Sequence, residues 1–147
     1  MTAEEMWRQS GLEGEYESWS FGGDADRLAR LVLSGEKTAT CSALCFYEMD
    51  NEKLPAQGEF SVILNSKDEA VCIIETTKVY VTKFNRVTAS HAMKEGEGDK
   101  SLEYWRTVHE QFFSEELKEI NMRFDKNMSL VCEEFEVVWP EKPISQY

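Results

Sequence analysis

The sequence contains few residues that could cross-link the fold through disulfides or metal ions. Its 147 residues include four cysteines and two histidines, and no cysteines form a Cys-x-x-Cys pair. Zinc ribbons and thioredoxin-type redox sites use that pair, so the sequence supports neither. Cys41 and Cys45 would lie about 13 Å apart in an extended segment, too far to share a zinc ion or a disulfide. We therefore expect reduced, mostly buried thiols and no metal site.

Long apolar runs are also missing. None approaches the roughly 20 residues that a membrane-spanning helix needs. The acidic N-terminus has neither the basic nor the apolar part of a signal peptide. The length fits one domain, and 41% apolar and 12% aromatic residues are enough for a core. The prediction is one cytoplasmic domain over residues 1–147 with no membrane partner.

Positive charge is scarce, because 28 acidic residues face 16 basic ones and the net charge is -12. Such a surface repels polyanions, which argues against a protein that coats nucleic acid. The net charge does not exclude a local cleft that binds a short single strand or a nucleoside. The densest basic cluster is either a solvated strand edge or the lining of a phosphate cleft. It consists of Lys78, Lys83, Arg86 and Lys94.

Several motifs of common enzyme classes are absent. The sequence has no Gly-rich phosphate loop, no dinucleotide-binding fingerprint, no G-x-S-x-G elbow and no H-E-x-x-H helix. We therefore expect no cofactor. The large enzyme classes that these motifs mark receive no support from the sequence.

The order of the predicted elements indicates an α+β domain whose curved sheet is completed by a C-terminal strand. Asp24 is a candidate N-cap, and Gly35 stands where a helix end favours a left-handed residue. The tail with Pro140 and Pro143 is expected to be loose. Helices are predicted over residues 2–9, 24–34, 88–94 and 101–113, with a further helical segment over 114–120 after a break. Strands are predicted over residues 15–21, 38–46, 60–64, 70–81 and 130–139.

Residues 34–40, Ser-Gly-Glu-Lys-Thr-Ala-Thr, place an amine and hydroxyls where a helix meets a strand. In an extended chain Thr38 and Thr40 share one face, and Lys37 and Thr40 lie on opposite faces. Cooperation between Lys37 and Thr40 therefore needs a bend. The alternative is a solvated lysine at the edge of a loop.

Residues 95–99, Glu-Gly-Glu-Gly-Asp, alternate carboxylates with glycines. They are not an EF-hand, because Lys100 stands where the loop needs glycine and Arg106 where it needs glutamate. The two glycines leave the backbone free to aim a carboxylate inward at a ligand. The alternative is a solvated acidic turn.

One helical stripe is apolar and is interpreted as core rather than as a stacking platform. Its members are Leu102, Trp105, His109, Phe112 and Phe113. On that stripe His109 is expected to be a half-buried, hydrogen-bonded histidine. His91 is expected to be more open, with a structural role.

Taken in order, these segments resemble the ASCH domain (activating signal cointegrator homology), a family with a PUA-like barrel. The resemblance covers about residues 16–139 and leaves an N-terminal helix and a C-terminal tail as extensions. The matching segments are residues 19–22, 31–40, 55–58, 71–79, 91–92 with 95–99, 101–106 and 132–138.

The resemblance implies a PUA-like mixed β-barrel with flanking helices and a ligand cleft. Family members include RNA-binding modules, ribonucleases and hydrolases of acetylcytidine. In the hydrolases a lysine and a threonine come from a G-x-K-T-x-T motif, and a glutamate follows a His-Ala pair by four residues. These positions correspond here to Lys37 as proton acceptor, Thr40 as nucleophile and Glu95 as proton donor.

These roles make chemical sense, because an amide needs a nucleophile, a base and an acid for the departing amine. A lysine acts as base only when its surroundings lower its pKa towards neutrality. Glu97 and Asp99 compete with Glu95 for the role of acid. The expected ligand-binding residues are Trp19, Phe21, Thr38, Glu97 and Asp99.

The leading prediction is hydrolysis of a modified nucleoside or a similar small amide. The alternative is an RNA-binding module or weak ribonuclease that acts on short single-stranded RNA. A scaffold without chemistry is a third possibility.

Overall fold

The computed structural model of the chain describes residues 1–141. Pro143, part of the tail expected to be loose, lies outside the described residues. The helices are α1 (Ala3–Ser10), α2 (Ala25–Ser34), α3 (Leu44–Met49), α4 (Ala89–Glu95) and α5 (Leu102–Lys118). The strands are β1 (Tyr16–Ser20), β2 (Ala39–Ala43), β3 (Phe60–Leu64), β4 (Ala70–Lys83) and β5 (Ser129–Trp139).

The strands form one five-stranded sheet in the order β1-β3-β4-β5-β2. β1 runs parallel to β3, and the other neighbours are antiparallel. β4 and β5 are long strands of 14 and 11 residues, and their pairing is interrupted twice by register shifts. Bulges of this kind add to the natural twist, so the sheet curls into a half-barrel. The expected α+β class with flanking helices is confirmed.

Local signals place the helix ends as predicted. The Asp24 side chain accepts a hydrogen bond from the backbone N–H of Arg27, and Gly35 ends α2 with a φ of 85°. Ser101 caps α5 by accepting from the N–H of Tyr104. These bonds satisfy backbone groups that a helix end leaves unpaired. The ends of α2 matter most here, because they fix the chain that leads into β2.

Two predicted boundaries are wrong. The strand expected over 38–46 ends at Ala43, and α3 follows at once. Cys45 and Phe46 of α3 pack against the cluster around α5, and that burial favours a helix over a longer strand. The break expected after Phe113 is also absent, since Phe113 and Leu117 lie one helical turn apart and are both buried.

Three apolar clusters hold the helices to the sheet. α2 packs against one cluster through Leu28 and Val32, and α1 packs against another through Met6. The third lies under α4 and α5 and contains Trp105 and Phe113, which confirms the core interpretation of that stripe. β2 is an edge strand of the sheet. Within residues 1–141, no helix is both long and apolar enough to cross a bilayer.

Candidate functional site

A cleft of about 240 Å³ lies between α2, β2 and α5. One wall is the chain that enters α2, and the opposite wall is the face of α5. The floor contains residues from β2 and from the end of α4. Lining residues include Phe21, Gly22, Arg27, Leu28, Lys37, Thr40, Cys41, Glu95, Glu97, Tyr104, His109 and Phe112.

Lys37 lies at the base of this cleft with 2% of its surface exposed. Its Nζ is 3.2 Å from Oε1 of Glu95 and 3.1 Å from Oε2 of Glu97. The ring of Phe21 lies 5.4 Å from the same nitrogen. The solvated loop lysine that the sequence allowed is therefore wrong, and Lys37 is a buried cation held by two carboxylates.

Backbone hydrogen bonds on both sides of Lys37 direct its side chain inward. Its own N–H donates to the carbonyl of Leu31 at 3.0 Å, which closes the turn after α2. The N–H of Thr38 donates to the carbonyl of Lys94 at 2.7 Å, which ties the start of β2 to α4. The lysine thus sits between two anchored peptide groups and has little freedom to leave the cleft.

Glu95 is the last residue of α4 rather than part of a loop, and 1% of its surface is exposed. Its Oε2 accepts hydrogen bonds at 2.7 Å from Nε2 of His91 and at 2.7 Å from Nε1 of Trp105. Tyr80 lies behind His91, with its hydroxyl 2.9 Å from Nδ1. The expectation of an open His91 is wrong, since His91 is 2% exposed and holds Glu95.

The charges of the pair follow from its surroundings. Burial would lower the pKa of the Lys37 amine, but the negative charges of Glu95 and Glu97 outweigh it and raise that pKa. Burial would raise the pKa of Glu95, but the charge of Lys37 and hydrogen bonds from His109 and His91 hold it well below its usual value. The resting pair is an ammonium and a carboxylate. A proton-accepting Lys37 needs the opposite shift.

Thr40 and Cys41 reach the cleft from adjacent positions on β2. Thr40 is paired with Glu133 of β5, and Cys41 is paired with Cys132. Alternation along the strand places the two side chains on opposite faces, and both line the cleft because β2 is the edge of the sheet. Burial raises the pKa of the Cys41 thiol well above its usual value, so Cys41 is a neutral thiol.

The five expected ligand-binding residues divide into two groups. Phe21 and Glu97 line the cleft. Trp19 packs edge-on against Phe21 with ring centres 4.9 Å apart, and it supports the wall from behind. The hydroxyl of Thr38 donates to the carbonyl of Lys94 at 3.3 Å, and Asp99 accepts from the N–H of Ser101 at 2.9 Å. Those three side chains lie outside the lining.

His109 is a lining residue that the sequence did not assign to the site. Its Nδ1 donates to the carbonyl of Trp105 at 2.9 Å, and its Nε2 lies 3.4 Å from Oε1 of Glu95. The side chain is half-buried as expected. Because it shares its helix face with the core residues Trp105 and Phe113, periodicity alone could not separate a site residue from a core residue.

The basic cluster expected either at a solvated strand edge or in a phosphate cleft is solvated, and Lys78 and Lys83 are its two members that lie on a strand. The Lys78 side chain is 63% exposed, and that of Lys94 is 44% exposed and pairs with Glu134 at 3.0 Å. Lys83 and Arg86 are also exposed. The cleft lining contains none of these four residues, and Arg27 is the basic residue that contributes to its rim.

Two groups of potential metal ligands share Glu95. Donor atoms of Cys41, His91 and Glu95 lie within 4.8 Å of one another, as do those of Glu95, Glu97 and His109. In the second group a cation is already supplied by the chain, because the ammonium of Lys37 bridges Glu95 and Glu97.

Comparison with known proteins gives a consistent result. A family model described as the ASCH domain matches residues 17–139. The ASCH domain of Lactobacillus crispatus JV V101 is 35% identical, with a TM-score of 0.86 over 92% of this chain and 92% of that chain. A protein from Enterococcus faecalis V583 is 38% identical, with a TM-score of 0.81 over 92% of this chain and 86% of that chain.

A mutant ASCH protein from Zymomonas mobilis is 13% identical, with a TM-score of 0.52 over 83% of this chain and 70% of that chain, and it shares the fold alone. No curated protein matches the sequence. The family match, the two similar structures and the curled half-barrel confirm the expected PUA-like architecture. The chain belongs to the ASCH domain family.

Proposed function

We propose that the protein hydrolyses a small amide, with a nucleoside acylated on its exocyclic amine as the leading candidate. The observation that carries the proposal is one cleft lined by the hydroxyl-bearing Thr40 and by the buried Lys37–Glu95 pair. Its volume of about 240 Å³ lies below the roughly 300–1,000 Å³ of sites for drug-sized ligands. A single nucleoside suits that volume better than an oligonucleotide does.

Amide hydrolysis by a hydroxyl passes through a tetrahedral oxyanion, and a fixed positive charge stabilises it. The Lys37 ammonium is such a charge, and the desolvated cleft strengthens its effect. In this proposal the Thr40 oxygen forms a bond to the acyl carbon, Lys37 polarises the acyl oxygen, and Glu95 holds the ammonium in place. The Thr40 proton passes to Glu97, the more exposed of the two carboxylates, which returns it to the amine as the C–N bond breaks. Water then hydrolyses the threonine ester, which releases the carboxylic acid and restores the hydroxyl. This assignment differs from the family roles, in which the lysine accepts a proton, because both carboxylates favour the protonated lysine here.

RNA binding is the alternative function. Against it, Glu95 and Glu97 place negative charge inside the cleft, and the net charge of the chain is -12. In its favour, Arg27 at the rim can contact one phosphate. The balance favours a neutral ligand. A cytoplasmic location stays a prediction from the sequence.

The test is acetate release from acetylcytidine and related acylated nucleosides. Thr40→Ala is expected to lower kcat/KM at least about 100-fold, because the oxygen that forms the bond to the acyl carbon is lost. Thr38→Ala is the matched control, since the Thr38 hydroxyl binds the Lys94 carbonyl outside the lining and its loss should leave turnover within about threefold.

Two results would count against hydrolysis. One is wild-type protein that releases no acetate from any acylated nucleoside. The other is Thr40→Ala protein as active as the Thr38→Ala control. In either case short single-stranded RNA is titrated next at two salt concentrations, because phosphate contacts weaken steeply with salt.

A further inference from the structure

The two carboxylates that hold Lys37 are not equivalent. Glu95 is fixed on both oxygens, by His91 and Trp105 on Oε2 and by Lys37 on Oε1. Within the described residues 1–141, the Glu97 side chain makes one hydrogen bond, which it accepts from Nζ of Lys37. The Glu97 side chain is also 14% exposed, against 2% for Glu95. Lys37 is thus paired with one carboxylate that is fixed in place, Glu95, and with one that can rotate away, Glu97.

The backbone around Glu97 is more constrained than its side chain. Gly96 and Gly98 both have left-handed backbone conformations, with φ of 72° and 59°. A Cβ on Gly96 would collide with the carbonyl of Glu36, and one on Gly98 would collide with the ring of Tyr104. Because both neighbours are packed this closely, Glu97 can leave Lys37 by rotating its side chain while the loop stays in place.

We infer that Glu97 occupies the place of a ligand oxygen, and that a small monocarboxylate binds the Lys37 ammonium in exchange for it. Exchanging one carboxylate for another keeps the charge around the buried ammonium constant. A phosphate dianion would add a second negative charge beside Glu95, which makes it the poorer ligand. Apolar side chains of the lining, Leu28 and Phe112, suit a short alkyl group on the carboxylate.

This inference rests on the proposed function and deepens it. In an amide substrate the oxygen that replaces Glu97 is the acyl oxygen, and in the product it belongs to the released carboxylate. The structure therefore assigns the acyl end of the ligand to Lys37. The amine end then points towards the rim formed by Arg27 and Tyr104.

Acetate is the probe, with formate and propionate for comparison, and binding is followed by NMR titration of the full chain. Glu97→Gln is expected to bind acetate at least about tenfold more tightly than wild type, because the competing carboxylate no longer occupies Lys37. Asp99→Asn is the matched control. It removes a nearby charge outside the lining, so it should change the affinity by less than about twofold.

The double variant Lys37→Met with Glu95→Gln removes the ammonium without leaving its partner charged, and it is expected to lose acetate binding. Retained binding in that variant would assign acetate to Arg27 and overturn the inference. Equal affinity of wild type and Glu97→Gln, or absence of acetate binding from both, would overturn it as well.

The titration requires no turnover, so it is independent of the test of hydrolysis. Acetate binding that strengthens in Glu97→Gln while every acylated nucleoside resists hydrolysis would keep the carboxylate site and remove the proposed reaction. Hydrolysis with no effect of Glu97→Gln on acetate would do the reverse.

Discussion

Lys37 is a buried ammonium between two carboxylates, so it is expected to contribute to the stability of the fold. Removing one partner of a buried pair leaves the other charge uncompensated, which typically costs about 3–5 kcal/mol. Lys37→Met is therefore expected to lower the free energy of unfolding by about that amount in urea denaturation at pH 7. Lys78→Met is the control, since that lysine is 63% exposed and lies 4.0 Å from Glu134.

The Lys78→Met control should change stability by no more than about 1 kcal/mol, as surface pairs do. A Lys37→Met protein as stable as this control would contradict the buried-pair interpretation. The expected loss also changes how turnover is interpreted. Inactivity of a lysine variant counts as chemical evidence only when the variant is shown to be folded.

Glu133 is a second residue whose environment sets a measurable property. Burial, together with the negative charges of Glu59 and Glu17, raises the pKa of its carboxyl to about 7, and a bond from Thr76 only partly opposes this. A raised pKa means that the folded state holds the proton more tightly. The contribution of Glu133 to the free energy of unfolding is therefore largest below about pH 4.5, and it falls as the pH rises to about 7.

Glu133→Gln is thus expected to be more stable than wild type at pH 8 by about 1–3 kcal/mol, with a difference that shrinks at pH 4.5. Urea denaturation at the two pH values measures this. Glu136→Gln, an exposed position on the same strand, is the control and should show no pH-dependent gain. A constant difference at both pH values would refute the assignment.

At the scale of residues, the sequence and its family resemblance identified Lys37, Thr40 and Glu95, all of which line the cleft. They did not assign Trp105 or His109 to the site. Trp105 and His109 contact Glu95 from another helix, and their periodicity was that of a core stripe. Contacts between distant segments leave no local trace in a single sequence.

Between elements, the end of α4 packs closely against the chain that enters β2. Gly96→Ala places a methyl group against the carbonyl of Glu36 in a backbone conformation with a φ of 72°. Gly23→Ala has a similar φ of 78° but open space around it. Gly23→Ala is the control, and backbone strain alone should lower its free energy of unfolding by about 1–2 kcal/mol. Gly96→Ala is expected to cost more, because the collision adds to that strain.

Thermal unfolding of both glycine variants measures the difference. Equal melting temperatures for Gly96→Ala and Gly23→Ala would contradict this expectation, because they would show that the contact with the Glu36 carbonyl adds no loss of stability.

The elements also show which signals are local. Asp24, Gly35 and Ser101 marked helix ends correctly, because caps depend on a few neighbouring residues. The first three residues of α3 were predicted as strand, since the choice of helix depends on burial of Cys45 and Phe46 against the cluster that contains α5 residues. Propensity decides little where packing between elements decides the outcome.

At the scale of the whole molecule, the charge of -12 makes salt dependence diagnostic. Binding of a neutral acylated nucleoside should change by less than about twofold between 50 and 200 mM salt, because no phosphate contacts are made. Isothermal titration at the two concentrations measures this. A steep loss of affinity with salt would instead indicate that the ligand is a polyanion.

The α+β class and the late closure of the sheet were predictable from the order of elements, whereas the strand order was not. β1 and β2 lie at opposite edges of the sheet although α2 alone separates them along the chain. That arrangement is set by β5, which returns to pair with both β4 and β2. Pairings over such separations follow from the assembled core.

The same pairing has a consequence for synthesis on the ribosome. Among residues 1–141, β2 pairs in the sheet only with β5, roughly ninety residues later in the chain. The strand beside Lys37 therefore stays unpaired until residues 129–139 have emerged. Contacts of such high sequence separation form slowly. A nascent chain can therefore carry most of its helices and the β3–β4 hairpin while it still has no cleft. The cleft is therefore expected to form late, once β5 has paired with β2.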